Sequence, residues 1–260
     1  MNTSTIIKPL LSVAIITFNE ERIIEETLSA IDNWVDQIVV VDSFSTDKTL
    51  SILEIFNVNL FQKKWEGYSK QKNFALSKCT GDWVLMLDAD EVVSPLLKDE
   101  ILNVIKNPGL NCGCKAKRKF YLGIRWIRYG GYYPDYQSRL FKSNINAHFN
   151  EREVHESVVL EKPLGYLNNS LDHYAYSNLN EYKSTLKKYA MLASKEIKAK
   201  KFYVPLLRAI WAFMFRYIFR LGFLEGKYGY RLCKIYSLYV FEKYNTARTT
   251  KTNSKLKVKS

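Results

Sequence analysis

The chain has 260 residues, of which 47% are hydrophobic and 25% charged, and it contains 11 Gly and 6 Pro. This composition is that of an ordered globular protein, and it excludes collagen and a mainly disordered chain. A membrane-spanning helix needs roughly 18 uninterrupted apolar residues, and the best candidate, residues 209–219, is interrupted by Arg216. A multi-pass membrane protein is therefore excluded as well.

The net charge of +13 is unevenly distributed along the chain. Residues 181–260 carry 19 Lys and Arg against 4 Asp and Glu, whereas residues 1–180 carry 20 against 22. This asymmetry predicts two parts, a near-neutral body and a cationic segment that faces an anionic partner. We therefore predict one domain over residues 1–178 and a basic, aromatic helical region over residues 179–260.

The first hundred residues alternate between strand and helix patterns. Asn19 is a candidate cap for the first helix, and Ser45 or Thr46 is the candidate start of the second. Helices joined to buried β-branched strands in this order indicate β-α-β units and a mostly parallel sheet. The predicted strands are 10–17, 38–41, 58–61 and 83–87, and the predicted helices follow residue 19, follow residue 45, and span 68–78.

The pattern changes after a further helix. Ser94-Pro95 is a strong helix start, and this helix should run to about residue 106. Short strand-like pieces then predict an irregular, partly antiparallel extension of the sheet, at 114–122, 130–134, 138–142 and 154–160. From residue 180 the chain is helical again. The predicted fold is α/β, with a Rossmann-like, mostly parallel sheet covered by helices on both faces and a helical segment at the end.

Acidic residues stand at the carboxyl ends of two predicted strands, Asp42 and Asp88. In open parallel sheets ligands bind at that edge, so we expect both to share one crevice. Asp88-Ala89-Asp90-Glu91 brings three carboxylates within four positions, and they repel one another unless a cation lies among them. Mg²⁺ or Mn²⁺ suits such oxygen ligands. The alternative is an acidic loop exposed to water.

Five segments follow one another in a fixed order over roughly residues 10–175. They are VVVDSFSTD at 39–47, WxGYSxQxN at 65–73 with GDW at 81–83, DADE at 88–91, YPD at 133–135 with RLF at 139–141, and VHE at 154–156. Together they resemble family 2 glycosyltransferases, and in particular the branch containing lipopolysaccharide-core β-1,4-glucosyltransferases. Ser43 and Phe44 stand where the family more often has Asp and Gly.

The resemblance implies a GT-A fold and an inverting, metal-dependent transfer from a nucleotide-sugar donor, with a UDP-hexose as the expected donor. It places Asp42 on the uracil or ribose, and Asp88 and Asp90 at the Mg²⁺ or Mn²⁺ and the diphosphate. Gln71 and Asn73 correspond to donor-binding positions. Capping and surface roles are the alternatives for these two amides.

An inverting transfer needs a base for the acceptor hydroxyl, which contributes about 10²–10⁴ in rate. Glu156 is the preferred candidate and Asp135 the second, although each carboxylate could instead pair with a nearby arginine. His155 is a candidate metal or diphosphate ligand, or else a hydrogen-bonded structural residue. Arg139 is a candidate phosphate contact by its fork geometry, and a strand-edge ion pair is the alternative.

Aromatic and basic residues are interleaved over residues 203–244. This mixture is typical of helices that lie at a membrane surface, where Lys and Arg meet anionic lipid. It predicts a cytoplasmic enzyme attached peripherally to the inner face of the cytoplasmic membrane, acting on a cell-envelope glycan or glycolipid such as lipopolysaccharide core. The alternative is that these helices pack on the body and expose a solvated basic face.

Two other functions compete with this interpretation. A non-enzymatic polyanion- or nucleic-acid-binding protein would use the basic segment, but it leaves the acidic strand ends unexplained. A sugar nucleotidyltransferase is expected to carry a Gly-rich basic loop near its N-terminus, and this sequence has none. We therefore expect no nucleic-acid partner.

Overall fold

The structure is a computed structural model. It describes residues 10–109, 111–143, 147–150, 158–159, 164–195, 197 and 201–257, with the backbone alone over 250–257. Backbone contacts divide the chain into two compact units. The first is formed by the described parts of Met1–Arg118 and Tyr136–His173, and the second by those of Lys119–Asp135 and Tyr174–Ser260.

The described strands and helices follow the alternation predicted for the first hundred residues. The strands are β1 (Leu11–Thr17), β2 (Gln37–Asp42), β3 (Asn59–Gln62), β4 (Trp83–Asp88), β5 (Glu91–Val93), β6 (Gly113–Leu122), β7 (Arg125–Ile127), β8 (Asp135–Lys142), β9 (His148–Phe149), β10 (Val158–Val159) and β11 (Gly165–Tyr176). The helices are α1 (Ile24–Ser29), α2 (Thr49–Leu53), α3 (Tyr68–Ser77), α4 (Pro95–Lys106), α5 (Leu179–Lys195), α6 (Val204–Met214) and α7 (Gly226–Lys257).

The main sheet has the strand order β3-β2-β1-β4-β8-β6-β11-β5. β1 runs parallel to both β2 and β4, and β2 runs parallel to β3. β8 pairs antiparallel with β4, and β5 pairs antiparallel with β11. The parallel part is therefore built by the N-terminal β-α-β units, and the later strands extend it in mixed directions.

Alternate residues of the buried strands supply the two faces of the sheet. Val13 and Ile15 belong to one apolar cluster with Ile24 of α1 and Leu97 of α4. Ala14 and Ile16 belong to a second cluster with Ala75 of α3. Helices therefore cover both faces, because each strand is apolar on both sides. The predicted α/β class is confirmed.

Two predicted helix starts are wrong. Asn19 has a φ of 57° and does not cap α1; its Oδ1 accepts a hydrogen bond from the N–H of Thr46 at 2.8 Å. The second helix begins at Thr49 rather than at Ser45 or Thr46. The reason is that the N–H groups of Ser45 and Thr46 are bonded to side chains in a turn. Ser94, in contrast, caps α4 as predicted, accepting from the N–H of Leu97 at 3.3 Å.

The strand predictions after residue 110 are partly wrong. Residues 130–134, predicted as strand-like, form a turn in which Gly130 and Gly131 have φ values of 79° and 77°. β11, a strand of 12 residues, was not predicted. Of the predicted strand at 154–160, the structure describes Val158–Val159, and the other residues lie outside its described part.

The second unit combines a hairpin with the C-terminal helices. Arg125–Ile127 of β7 pair with the end of β6, and α7 packs against α5 and α6. Buried Glu225 accepts hydrogen bonds from the N–H groups of Arg128 and Tyr129 at 2.8 and 3.1 Å. Among the helices that are described, none is both long and apolar enough to cross a membrane.

The predicted domain boundary lies near the start of α5. The second compact unit also takes in residues 119–135 and 174–178, because the hairpin and the end of β11 pack with the helices of that unit. The assignment of separate functions to residues 1–178 and 179–260 stays a prediction.

Candidate active site

The carboxyl ends of β2 and β4 lie at one edge of the sheet. β1 runs between them, and Thr17 pairs with Asp42 while Ile16 pairs with Asp88. Because adjacent strands lie about 4.8 Å apart, the two strand ends are about 10 Å apart across β1. This edge is the position at which open α/β sheets bind ligands.

Asp42 is buried and holds the turn that follows β2. Its carboxylate accepts hydrogen bonds from the backbone N–H of Ser45 at 2.9 Å and from the Ser45 hydroxyl at 2.5 Å. Phe44 lies within this turn with a φ of 62°, a conformation that favours glycine. The chain thus adopts the turn without the glycine that the family more often has there.

Asp88, at the end of β4, is surrounded by three cations from different elements. Lys72 of α3 lies 2.9 Å from Oδ1, and Arg139 of β8 and Arg118 of β6 lie 2.5 and 3.4 Å from Oδ2. Burial raises the pKa of Asp88, but the charges of Arg139, Lys72 and Arg118 outweigh it and hold the pKa well below its usual range. This carboxylate is therefore ionised at neutral pH.

Glu91, fully buried at the start of β5, shares two of these cations. Its Oε1 lies 2.5 Å from Arg139 and 3.2 Å from Arg118, and its Oε2 accepts from the N–H of Asp88 at 3.1 Å. The repulsion expected among the carboxylates of residues 88–91 is therefore relieved by side chains of the protein itself. It is not an argument for a bound metal.

Asp90 forms a pair with His173 of β11, whose Nε2 lies 3.3 Å from Oδ2 of Asp90. Burial lowers the pKa of His173, but the charge of Asp90 raises it above its usual value. Burial likewise raises the pKa of Asp90, and the charge of His173 lowers it below its usual value. Each group therefore favours the charged form of the other.

The donor atoms of this pair fit a divalent cation once His173 has given up its proton, because a histidine binds a metal only in its neutral form. A carboxylate and an imidazole are both metal ligands, whereas both oxygens of Asp88 already meet protein cations. Within the described part of the chain, no three His, Cys, Asp or Glu side chains come together to hold a metal by themselves. Mg²⁺ usually binds through one or two carboxylates plus substrate phosphates. The pair therefore fits a metal that the donor diphosphate helps to hold.

Thr17 Oγ1 and Gln71 Oε1 are buried oxygen atoms of the first unit that have no hydrogen-bond partner among the described residues. The amide nitrogen of Gln71 donates to Ser43 Oγ at 2.9 Å and to the carbonyl of Lys63 at 3.0 Å. A buried acceptor without a partner is costly, about 1–3 kcal/mol. These two oxygens are therefore candidate ligand contacts.

Asn73 and Arg139 are both engaged with the protein. The amide of Asn73 donates to the carbonyl of Phe149 at 3.0 Å and accepts from its N–H at 2.7 Å, which fixes β9. Of the two interpretations of Arg139, the ion pair is observed, with Asp88 and Glu91 as its partners. The donor contacts of both residues stay predictions.

Three predicted site residues remain, Glu156, His155 and Asp135. Glu156 and His155 lie outside the described residues. Asp135 is the first residue of β8 and is half-buried. Their roles as base or metal ligand stay predictions.

Sequence reasoning missed Lys72, Arg118 and His173. Lys72 carried a signal, because it lies on the buried face of α3 three residues before Ala75. A lysine at such a position needs a partner. Nothing in the sequence pointed to His173, because β11 was not predicted and the contact of His173 with Asp90 depends on long-range strand pairing.

The family model described as Glycosyl transferase family 2 matches residues 12–155, more than half of the chain. The chain belongs to glycosyl transferase family 2. The matched region contains Asp42, Asp88 and Asp90, the residues around which the edge of the sheet is organised.

Several known proteins are similar over most of the chain. An uncharacterised glycosyltransferase of Rickettsia typhi is 29% identical over 234 residues, 85% of this chain and 80% of that protein. The lipopolysaccharide core biosynthesis glycosyltransferase LpsC of Rhizobium meliloti is 28% identical, covering 74% and 73%. The S. aureus TarS 1–349 structure in complex with UDP is 18% identical, with a TM-score of 0.48 and 92% of each chain covered. The predicted resemblance is confirmed.

Proposed function

We propose that this glycosyltransferase moves a hexose from a UDP-sugar to a cell-envelope glycan such as lipopolysaccharide core. The observation that carries the proposal is the convergence of Asp88, Asp90 and His173 with buried cations at the carboxyl edge of β4. The similarity to LpsC supports the choice of acceptor class.

Asp42 receives the base or ribose of the donor in this proposal. Its place at the end of β2 supports that role, and the unpartnered Thr17 Oγ1 and Gln71 Oε1 offer further acceptors in the same unit. A uracil or ribose presents N–H or O–H donors, which such oxygens can accept.

Asp90 and His173 are the residues that would hold Mg²⁺ or Mn²⁺, in place of the predicted set of Asp88, Asp90 and His155. A divalent cation supplies a Lewis acid that stabilises the charge developing on the leaving diphosphate. Asp88 fixes Lys72, Arg118 and Arg139, so it acts as a positioning residue. The three cations hold the acidic residues 88–91, at the end of β4 and the start of β5, in one geometry. They also add positive potential at this edge of the sheet.

The inverting step in this proposal uses a carboxylate that takes the proton of the acceptor hydroxyl. Glu156 is the first candidate and Asp135 the second. Attack by that hydroxyl forms the new glycosidic bond while the bond to the diphosphate breaks.

Attachment to an anionic membrane surface is the second element of the proposal. Exposed apolar side chains are concentrated in α6 and the segments on either side of it, including Phe202, Leu207, Trp211 and Phe219. Exposed aromatic and aliphatic groups beside basic ones support insertion at a lipid headgroup boundary. On this proposal the enzyme lies at the inner face of the cytoplasmic membrane.

The two alternative functions predicted from the sequence are not proposed. The family match accounts for the acidic strand ends that a polyanion-binding protein leaves unexplained. The matching family is described as one of glycosyl transferases, which move a sugar rather than a nucleotidyl group.

The donor is tested by thermal shift with UDP, ADP and GDP, each with and without Mn²⁺. We expect UDP with Mn²⁺ to raise the Tm most, and Mn²⁺ alone to have a smaller effect. Equal shifts for the three nucleotides would contradict the choice of donor base, and no shift with any of them would contradict donor binding at this site.

A further inference from the structure

The second unit contains a cavity of about 150 Å³ that the proposed transfer does not use. It is lined by Gly131, Tyr133, Pro134, Phe215, Arg216 and Arg220. All six residues belong to this unit, so the cavity is formed within one compact part of the chain.

A turn of two glycines brings backbone against both arginines. Gly130 and Gly131 have φ values of 79° and 77°, which glycine adopts without steric cost. A Cβ atom at Gly131 would lie 3.6 Å from Nη1 of Arg216 and 3.7 Å from Cγ of Arg220. The turn therefore lies directly beside the two side chains.

A π-helix over Phe215–Phe219 presents Arg216 and is followed at once by Arg220. The N–H of Arg220 bonds to the carbonyl of Phe215 at 2.9 Å, and the carbonyl of Arg220 accepts from the N–H of Gly130 at 2.8 Å. π-helices are rare and are frequent at functional sites. Here the π-helix is tied to the turn that forms the opposite wall of the cavity.

The charges of these arginines are stacked on rings rather than neutralised. The guanidinium of Arg216 lies 4.4 Å from the ring centre of Tyr132 and 4.1 Å from that of Tyr236. Its buried Nε has no hydrogen-bond partner among the described residues. No carboxylate in the described part of the chain forms an ion pair with Arg216 or Arg220, whereas Arg125 of the same unit pairs with Glu225 at 3.1 Å.

The N–H groups of a guanidinium point outward in its own plane, so aromatic rings over its face still allow them to meet the oxygens of a phosphate. The cavity has the volume of about five water molecules, which suits a phosphate group. We infer that Arg216 and Arg220 form a binding site for a phosphate group of a ligand other than the sugar donor. A phosphorylated sugar and a phospholipid headgroup both present this chemistry.

Binding of inorganic phosphate to the full chain, without metal or nucleotide, tests the inference by isothermal titration calorimetry. Arg220→Gln is the informative variant, because Arg220 is exposed and its loss leaves the stacked Arg216 in place. Arg208→Gln is the matched control, since Arg208 also stacks on a ring, that of Tyr244 at 4.6 Å, and does not line the cavity.

Loss of one charged hydrogen-bond donor should weaken phosphate binding by about tenfold or more in Arg220→Gln. Arg208→Gln should stay within about twofold of the parent, because long-range attraction is screened by salt. Equal weakening in both variants, or no binding beyond the effect of chloride at equal ionic strength, would overturn the inference. Neither result bears on sugar transfer, since donor and metal are absent.

Two further probes separate the sources of the phosphate. One is glucose 6-phosphate in solution, and the other is vesicles of phosphatidylcholine with phosphatidylglycerol. Weaker glucose 6-phosphate binding in Arg220→Gln, but not in Arg208→Gln, assigns the site to a sugar phosphate. The same pattern with vesicles assigns it to a lipid headgroup. If neither depends on Arg220, the inference is wrong.

Discussion

Two groups of cations, one in each unit of this protein, are arranged in opposite ways. In the first unit, Lys72, Arg118 and Arg139 all contact Asp88, and two of them also contact Glu91. In the second, Arg208, Arg216 and Arg220 lie over aromatic rings, and no carboxylate of the described residues pairs with them. The cations around Asp88 are therefore paired inside the protein, whereas these three arginines stay available to an anion from outside the chain.

This difference follows the distribution of charge along the sequence. With 19 Lys and Arg against 4 Asp and Glu, residues 181–260 cannot pair most of their cations internally. We call the group of Asp88, Glu91, Lys72, Arg118 and Arg139 the paired cluster. It is suited to fixing catalytic geometry, because its groups hold one another in place. The unpaired cations are suited to an anionic partner from outside the chain. The predictions below test this division.

The largest effect is expected on the chemical step. Glu156→Gln should slow release of the nucleoside diphosphate by about 10²–10⁴, because it removes the proposed base. UDP binding should remain within about twofold of the parent, since the base does not hold the donor. An equal loss from Asp135→Asn, with Glu156→Gln still active, would move the base to Asp135. The assay uses hexose donors that carry the nucleoside diphosphate selected by the thermal-shift experiment.

Breaking the paired cluster should cost stability. Lys72→Met removes a buried ammonium 2.9 Å from Asp88 and should lower the free energy of unfolding by about 2 kcal/mol, because the carboxylate loses a partner. Lys70→Met on the same helix is the control, since Lys70 is exposed and lies 3.9 Å from Glu66. It should change stability by less than about 0.5 kcal/mol in urea denaturation. Equal effects of the two variants would contradict the paired cluster.

The exposed aromatic residues of α6 and its neighbouring segments, which lie beside the unpaired arginines, should bind a lipid surface. Trp211 and Phe219 are 62% and 64% exposed, so replacing both by Ser should weaken binding to anionic vesicles by about tenfold in a flotation assay. Ile55→Ser is the control in the first unit, because Ile55 is 74% exposed and lies outside those segments. Failure of the parent protein to float with anionic lipid would discard membrane attachment.

The smallest effect is expected for a stacked arginine. Arg208→Gln should lower stability by less than about 1 kcal/mol, because an exposed cation over a ring contributes little. A loss as large as that of Lys72→Met would remove the distinction between paired and unpaired cations. Urea denaturation of the two variants under the same conditions measures it.

The features that could be predicted from the sequence are those set by local pattern. Val39–Val41 and Val84–Leu87 are apolar runs that specify buried parallel strands, so the strand ends carrying Asp42 and Asp88 were correctly placed at one edge. Ser94 followed by Pro95 is also a local pattern, a capping residue and then a proline at the first helical position, and it correctly predicted the start of α4.

The features that were missed depend on distant contacts. Arg118 and His173 reach the acidic residues 88–91 from β6 and β11, which the sheet brings beside β8 and β5. Nothing near these residues in the sequence indicates that pairing. β11 itself mixes exposed and buried positions without a regular alternation, so its pattern did not indicate a strand. The repulsion among the acidic residues 88–91 was likewise misjudged, because the cations that relieve it come from three separate elements.

Calorimetric titration of UDP with and without Mn²⁺ tests the central claim most directly, in the parent, in Asp90→Asn and in Asp99→Asn. Asp99 is an exposed carboxylate on α4 and serves as the charge-matched control. We predict that Mn²⁺ strengthens UDP binding by about tenfold or more in the parent and in Asp99→Asn, and has no effect in Asp90→Asn. An equal Mn²⁺ effect in all three proteins would contradict the assignment of Asp90 to the metal and the diphosphate.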